Sequence, residues 1–585
     1  MASFPFGRLQ ETEIRKPSKA LLVFFILFLL LLIISVTFIA LYVVEKTKST
    51  DSSSGTCTTP VCITTAADIL KKLDQSTNPC DDFYQYSCGG FIEKAHFADG
   101  QGLVDSSSPA EDLVQYSLRD ILENEKLMSN YSKDSAAYKT FTFYKSCVNE
   151  TSIENVGIKP LLDIIEKHGS WNITNKNWIG DSWVLERILA RVFVDLQTSA
   201  FLKVDVSSSF FNTSETFITI YGGISGHERN PLDNDQFRRP IIAQPQLDNE
   251  NVDNFKRYKV LMSTIFKLLG SNSSIEEEVN RIVDLEKEFA NVKKKFDLTK
   301  PKQFIKNVKF MTLDELNNFT SFKFDWTQYF EEILLGTNKK IPASLKLMIL
   351  LPDNIKKIVD WITNKPKSLL ANEIIWNVVR GLTNTLPLAF RKAQKAYSRN
   401  VKPRWKICNT LTDNYFQFAT TLLYVTEHLP EDARETAAEM FIEIRKQFIN
   451  GLKEQTWMDS KTRKQALLKL QKMKAVIGFP SFIKDLVQLN SDYKNVKVDQ
   501  HHMFQNTLNI YRDQIQKKIN IFRISIDTSR SSLGYLAINA YYSPSSNRMT
   551  ILAGILQPPF YKSGAMKALN YGALGMVVGH EITHG

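Results

Sequence analysis

The sequence predicts a mostly α-helical protein: a single membrane-spanning helix, then a large, mainly helical ectodomain whose last part is α+β. Three observations predict it. Ala20 to Val44 is uncharged and rich in Leu, Ile, Val and Phe. Apolar residues recur at helical spacing along Leu261–Leu269, Ile275–Val292 and Ala433–Leu452, within a stretch from Asp68 to about Gln471 that reads as helices joined by polar turns. Beyond about residue 520, β-rich segments replace that periodicity. With 585 residues, 43% hydrophobic and 23% charged, the chain is globular and too long for one ordinary core.

The uncharged run exceeds the roughly 20 helical residues that cross a bilayer and the about 7–15 of a cleaved signal core. Arg8, Arg15, Lys16 and Lys19 precede it, while Glu45, Lys46, Lys48 and Asp51 of mixed sign follow. Positive charge stays inside, so the N-terminus is cytoplasmic and the C-terminus extracellular. This is a single-pass type II arrangement, expected at the plasma membrane. Asp51–Gly55 reads as a flexible stalk.

Two further features agree with an outside location. Glycosylation sequons stand at Asn130, Asn149, Asn172, Asn212, Asn272 and Asn318, all beyond the membrane run. So do all six cysteines, Cys57, Cys62, Cys80, Cys88, Cys147 and Cys408, an even number suited to disulfides in an oxidising compartment. Spacing alone does not choose the pairs. The net charge of +11 comes from Lys and Arg mixed with acids. Its densest cluster, Lys293 to Lys295, is flanked by Glu286, Glu288 and Asp297 and reads as a solvated helix face. A nucleic-acid partner is therefore not expected. His501-His502 lies in a polar stretch and reads as a solvated pair.

Trp457-Met-Asp-Ser460 precedes a helix over Lys461–Met473, with Asp459 or Ser460 suited to the N-cap and Gly478-Phe-Pro480 as the stop. Ile521–Ile526 alternates like a strand. Tyr535–Tyr542 and Met549–Leu552 read as a strand pair, and Pro558-Pro559 breaks the chain. A helix follows over Leu569–His584, with small residues at Gly572, Ala573, Gly575 and Gly579. Each interior Gly costs about 1 kcal/mol of helix stability relative to Ala, so the pattern predicts close packing.

That helix ends in His580-Glu-Ile-Thr-His584-Gly585. Positions i and i+4 share a helix face, so both imidazoles can bind one Zn2+ per chain. Glu581 sits beside the first His, where it can reach a bound water and act as general base in peptide hydrolysis. Catalytic zinc uses three protein ligands, and spacing supplies only two here.

These residues resemble the neprilysin family of zinc metallopeptidases, which includes the endothelin-converting enzymes. The resemblance covers nearly the whole chain. It is carried by Cys57-Thr-Thr-Pro-Val-Cys62, Asn78-Pro-Cys-Asp-Asp-Phe-Tyr-Gln-Tyr-Ser-Cys88, Trp457-Met-Asp459 and Ile538-Asn-Ala-Tyr-Tyr-Ser543, then by Ala553-Gly-Ile-Leu-Gln-Pro-Pro-Phe560, Asn570-Tyr-Gly572 and Gly579–Gly585. It implies a two-lobed, mainly helical ectodomain around a closed cavity, with a thermolysin-like catalytic lobe that is incomplete at the C-terminus. It implies that His580 and His584 ligate zinc, that Glu581 is catalytic, and that Asn539 and Ala540 bind the backbone of small extracellular peptides. Ile555, Phe560 and Val577 would line an apolar pocket. It also implies disulfides Cys57–Cys62 and Cys147–Cys408, leaving Cys80 and Cys88 as orphan thiols. The family's carboxylate-gripping Arg has no counterpart in Gly102–Pro109.

The expected division is tail 1–19, anchor 20–44, stalk 45–55, helical peptidase region 56–518, and the start of the catalytic region at 519–585. The family's third zinc ligand, a Glu, would lie beyond Gly585. A second reading is accordingly a truncated, catalytically inactive membrane ectodomain that acts as a binding protein.

Overall fold

The structure is a computed structural model that describes residues 35–37, 57–97, 101–209, 212, 215–223, 248–271, 275–293, 306–335, 340–398, 402–521 and 533–585. Of the expected anchor Ala20–Val44, only residues 35–37 are described, and among the described residues no helix is long and apolar enough to cross a membrane. Asn272, Lys294, Lys295 and Asp297 also lie outside the described residues. Two compact units are distinguished, Met1–Glu93 and Lys94–Gly585.

In the first unit a disulfide joins Cys57 to Cys62 at the start of the helix Pro60–Leu70. The helix is capped by Thr59, whose hydroxyl accepts the Cys62 N–H at 3.3 Å. Asp74 accepts side-chain bonds from Ser76, Gln85 and Thr77, which hold its carboxyl well below the usual carboxylate range. Cys80 and Cys88 are free thiols.

The second unit is mainly helical but carries a sheet that periodicity did not foresee. Strands β1 (Leu202–Ser208), β2 (Thr216–Gly222), β3 (Val308–Met311) and β4 (Leu347–Leu350) lie in the order β1-β2-β4-β3, with β2 and β4 parallel. Its strands are short, and Leu-Met-Ile-Leu of β4 is wholly apolar. A run of that kind cannot be told from buried helix by period.

The long helices fall where apolar spacing put them: Asp248–Leu268, Ile275–Val292 and Ala433–Glu454. Asp459 caps Ser460–Lys472, its carboxylate accepting the N–H groups of Lys461 and Thr462 at 3.0 and 2.9 Å. Strand β5 (Lys474–Gly478) starts two residues later, so the helix ends well before Pro480. The helix Ala136–Val148 is joined to Arg404–Glu427 by the disulfide Cys147–Cys408, across a separation of 261 residues. Phe143, Phe416 and Tyr493 pack in the same core.

The last part holds a three-stranded sheet, β5-β7-β6, built from β6 (Ala540–Ser543) and β7 (Arg548–Leu552). Central β7 is parallel to β5 and antiparallel to β6. The expected strand Tyr535–Tyr542 is thus shorter. Residues 535–539 instead fold over the turn Ala553–Ile555, where the Gly554 N–H donates to the Tyr535 carbonyl at 3.0 Å. A Cβ at Gly554 would collide with the Leu536 carbonyl, so only glycine permits this approach. The expected strand Ile521–Ile526 is also corrected at its first residue. Ile521 ends the helix Met503–Ile521, and the other five residues lie outside the described ones.

The terminal helix is not uniform. Lys567–Asn570 passes into a π turn at Tyr571–Gly575, followed by Met576–His584. Gly575 and Gly579 face the helix Ala433–Glu454: added Cβ atoms would stand 3.6 and 3.9 Å from Ile444. Gly572 has nothing within 4 Å, so close packing explains two of the three glycines.

Candidate metal centre and peptide-binding edge

Helical spacing puts His580 and His584 one turn apart, with their Nε2 atoms 3.0 Å from each other and the ring planes at 84°. Both are exposed, whereas Glu581 between them is only 6% exposed. Ligand atoms of all three lie within 4.8 Å of one another, and no other such group occurs among the described residues. Two nitrogens bound to one zinc at about 2.0–2.1 Å would stand about 3 Å or slightly more apart. The imidazole pair fits that demand and offers the donor type zinc prefers.

Burial raises the pKa of Glu581, while His584, His580 and the Tyr542 backbone N–H favour its charged form. Tyr542 belongs to β6, the edge strand nearest the motif helix. The Leu552 N–H donates to the Asn539 carbonyl at 3.2 Å. Antiparallel alternation then turns the main-chain groups of Tyr541 and Ser543 toward β7, and those of Ala540 and Tyr542 toward the open edge. Asn539 Oδ1 accepts the Ala540 N–H at 2.8 Å, leaving its amide nitrogen as a donor beside that edge. Asn539 and Ala540 therefore stand next to the imidazole-bearing helix.

Ile555, Phe560 and Val577 share one apolar cluster with Met440, Phe441, Val578 and Ile582. Ile555 is fully buried and the other two are half-buried. Val577 stands on the motif helix itself, and Ile555 and Phe560 lie in the cluster that packs against it. In 102–109, Asp105 accepts the N–H and hydroxyl of Ser107 at 2.8 and 2.6 Å, forming a turn before the helix Ser108–Leu122. His501 and His502 are exposed, bonded to Ser152 and Asp499. Asn130, Asn212 and Asn318 are exposed. Asn149 caps Glu150–Val156, and Asn172 Oδ1 is buried without a partner among the described residues.

Sequence reading missed β5 and the bond from Tyr542 to Glu581. Ala475-Val476-Ile477 before Gly478 was the available signal for the strand. The main-chain bond leaves no trace in residue type.

Residues 79–480 and 539–585 match the models of peptidase family M13. The chain is 29% identical over 546 residues to an endothelin-converting enzyme homolog of Locusta migratoria, covering 90% of this chain and 72% of that protein. It is 30% identical over 542 residues to human endothelin-converting enzyme 1, covering 91% of this chain and 67% of that one. Among solved structures, zinc metalloprotease ZMP1 of Mycobacterium tuberculosis superposes with a TM-score of 0.74 at 21% identity, covering 88% of this chain and 74% of that one. PepO from Lactobacillus rhamnosis gives 0.69 at 18%, covering 87% and 76%. At those identities the structures share the fold. With the family models and the relatives added, the chain belongs to peptidase family M13, the zinc metalloendopeptidases of the neprilysin and endothelin-converting-enzyme kind.

Proposed function

We propose that this chain is a membrane-anchored zinc metalloendopeptidase that cleaves small extracellular peptides. The observation that carries the proposal is the exposed His580–His584 pair with buried Glu581 between them, all beside edge strand β6. His580 and His584 would hold the zinc. When bound, zinc supplies a Lewis acid that polarises a carbonyl and makes water acidic near neutral pH.

The chain's own residues do the rest. An extended peptide adds along β6, meeting the main-chain carbonyl of Ala540 and the amide nitrogen of Asn539. Half-buried Phe560 and Val577 give the neighbouring surface its apolar character, and buried Ile555 packs in the same cluster. Glu581, with its proton affinity raised by burial, accepts a proton from the attacking water and passes it to the departing amine nitrogen. Family membership favours this reading over the inactive binding protein.

Two imidazoles alone do not complete a catalytic zinc site, so the test is zinc content and hydrolysis of a short quenched peptide by a full-length form that supplies the third ligand. We expect one zinc per chain and cleavage that chelation abolishes. A metal-free protein, or hydrolysis indifferent to chelation, refutes the peptidase reading.

The run Ala20–Val44 serves as the anchor in this reading, with the sequons outside. Glycosidase treatment and peptide mapping should find glycans at Asn130, Asn212 and Asn318, where the side chains are exposed. A chain wholly without glycans refutes the topology.

A further inference from the structure

Beside the Cys147–Cys408 disulfide lies a cavity of about 100 Å3, which shares no residue with the metal centre or with β6. Its lining includes Arg391, Lys395, Lys402 and Arg404, against the single carboxylate of Glu150. Two of these cations are rigidly held. Arg391 is only 5% exposed; its Nη1 pairs with Glu150 at 2.8 Å and its Nε donates to the Leu386 carbonyl at 3.0 Å. Among the described residues its Nη2 makes no hydrogen bond, and it stands 3.6 Å from Glu154.

Arg404 is fixed by main-chain carbonyls. Its Nε and Nη2 donate to Cys147 at 2.9 and 2.7 Å, and its Nη1 donates to Asn384 at 3.0 Å. Those bonds orient the guanidinium without neutralising it. Burial, then the nearby Arg391, push its pKa down to about 10, with Glu150 pulling the other way. Gln394, also 5% exposed, keeps a buried Oε1 with no donor among the described residues. A half-turn of its amide would offer N–H groups instead. Lys395 and Lys402 form no ion pair among the described residues.

Glu150 and Glu154 offset only part of the charge of Arg391, Arg404, Lys395 and Lys402, and the excess positive charge around the cavity suits an anion. The volume is well below the roughly 300–1,000 Å3 of pockets for drug-sized ligands, and above the about 30 Å3 share of one water. A peptide is excluded on size; a small ion is not. We propose that this cavity binds a phosphate-sized oxyanion, held from within by Arg391 and Gln394 and closed on the solvent side by Lys395 and Lys402. The bound anion links the helix Leu388–Tyr397 to Arg404–Glu427 and reinforces the disulfide-bonded region.

The test titrates inorganic phosphate into the full chain, freed of zinc by chelator, at constant ionic strength, by calorimetry and thermal unfolding. We expect saturable one-site binding, a rise in Tm, and competition by sulfate. Lys395→Gln with Lys402→Gln should weaken binding by about tenfold or more, without changing the phosphate-free Tm. Arg391→Gln should abolish it; the lysine variants keep the test valid if that protein fails to fold. Absence of saturable heat at millimolar phosphate, wild-type binding by the double lysine variant, or displacement by chloride as readily as by sulfate would each overturn the proposal. None of these outcomes depends on peptide hydrolysis.

Discussion

The backbone N–H of Tyr542, on edge strand β6, bonds to the carboxylate of Glu581 on the helix that carries both imidazoles. Glu581→Gln keeps an acceptor for that N–H but cannot take a proton. Peptide hydrolysis should fall by about 10²–10⁴-fold, with zinc content and Tm unchanged. Steady-state kinetics beside metal analysis checks this; a parallel loss of zinc would mean the carboxylate supports the site rather than the reaction.

Asp413 accepts a 2.6 Å bond from Thr420 across the kink at Phe416. Part of the residue reaches solvent, yet the protein packed around its carboxyl raises the pKa from 3.8 to about 6. The folded state thus holds the proton more tightly than the unfolded chain. This contribution is complete below about pH 4 and is lost as pH rises through about 6. Asp413→Asn should therefore gain roughly 1–3 kcal/mol over wild type at pH 8 and nothing near pH 4. Denaturation at the two pH values decides it.

The two disulfides should differ in worth. Cys147–Cys408 closes a separation of 261 residues and Cys57–Cys62 one of 5. Replacing Cys147 and Cys408 by Ala should cost about 2–5 kcal/mol, and the same change at Cys57 and Cys62 distinctly less. Thermal unfolding of both double variants measures the difference.

Glycines with the same letter should respond with opposite sign. Gly572→Ala meets no atom within 4 Å and should be neutral or stabilising by up to about 1 kcal/mol. Gly554→Ala drives a methyl into the Leu536 carbonyl and should cost roughly 1–3 kcal/mol or more. Chemical denaturation separates them.

How much of this was legible follows the physics of each segment. Ile275–Val292 was readable because eighteen residues repeat the helical period several times. Asp459 was readable because capping uses a side chain. The motif residues were readable because metal chemistry restricts both type and spacing. Strands β1 to β4 escaped because four to seven residues establish no period, and their pairing joins distant segments. Tyr535–Asn539 misled because its β-favouring residues are held elsewhere by Gly554. The bond from Tyr542 to Glu581 was invisible because it is made by main chain.

The π turn at Tyr571–Gly575 has a consequence for engineering. Each α-helical residue advances the side-chain direction by about 100°, so a local change in residues per turn re-aims everything downstream. Deleting one residue from 571–575 would leave the imidazoles correctly spaced yet rotate them away from Ala540. A trimmed or grafted version that copies the histidines without this offset would keep the grip and lose the aim.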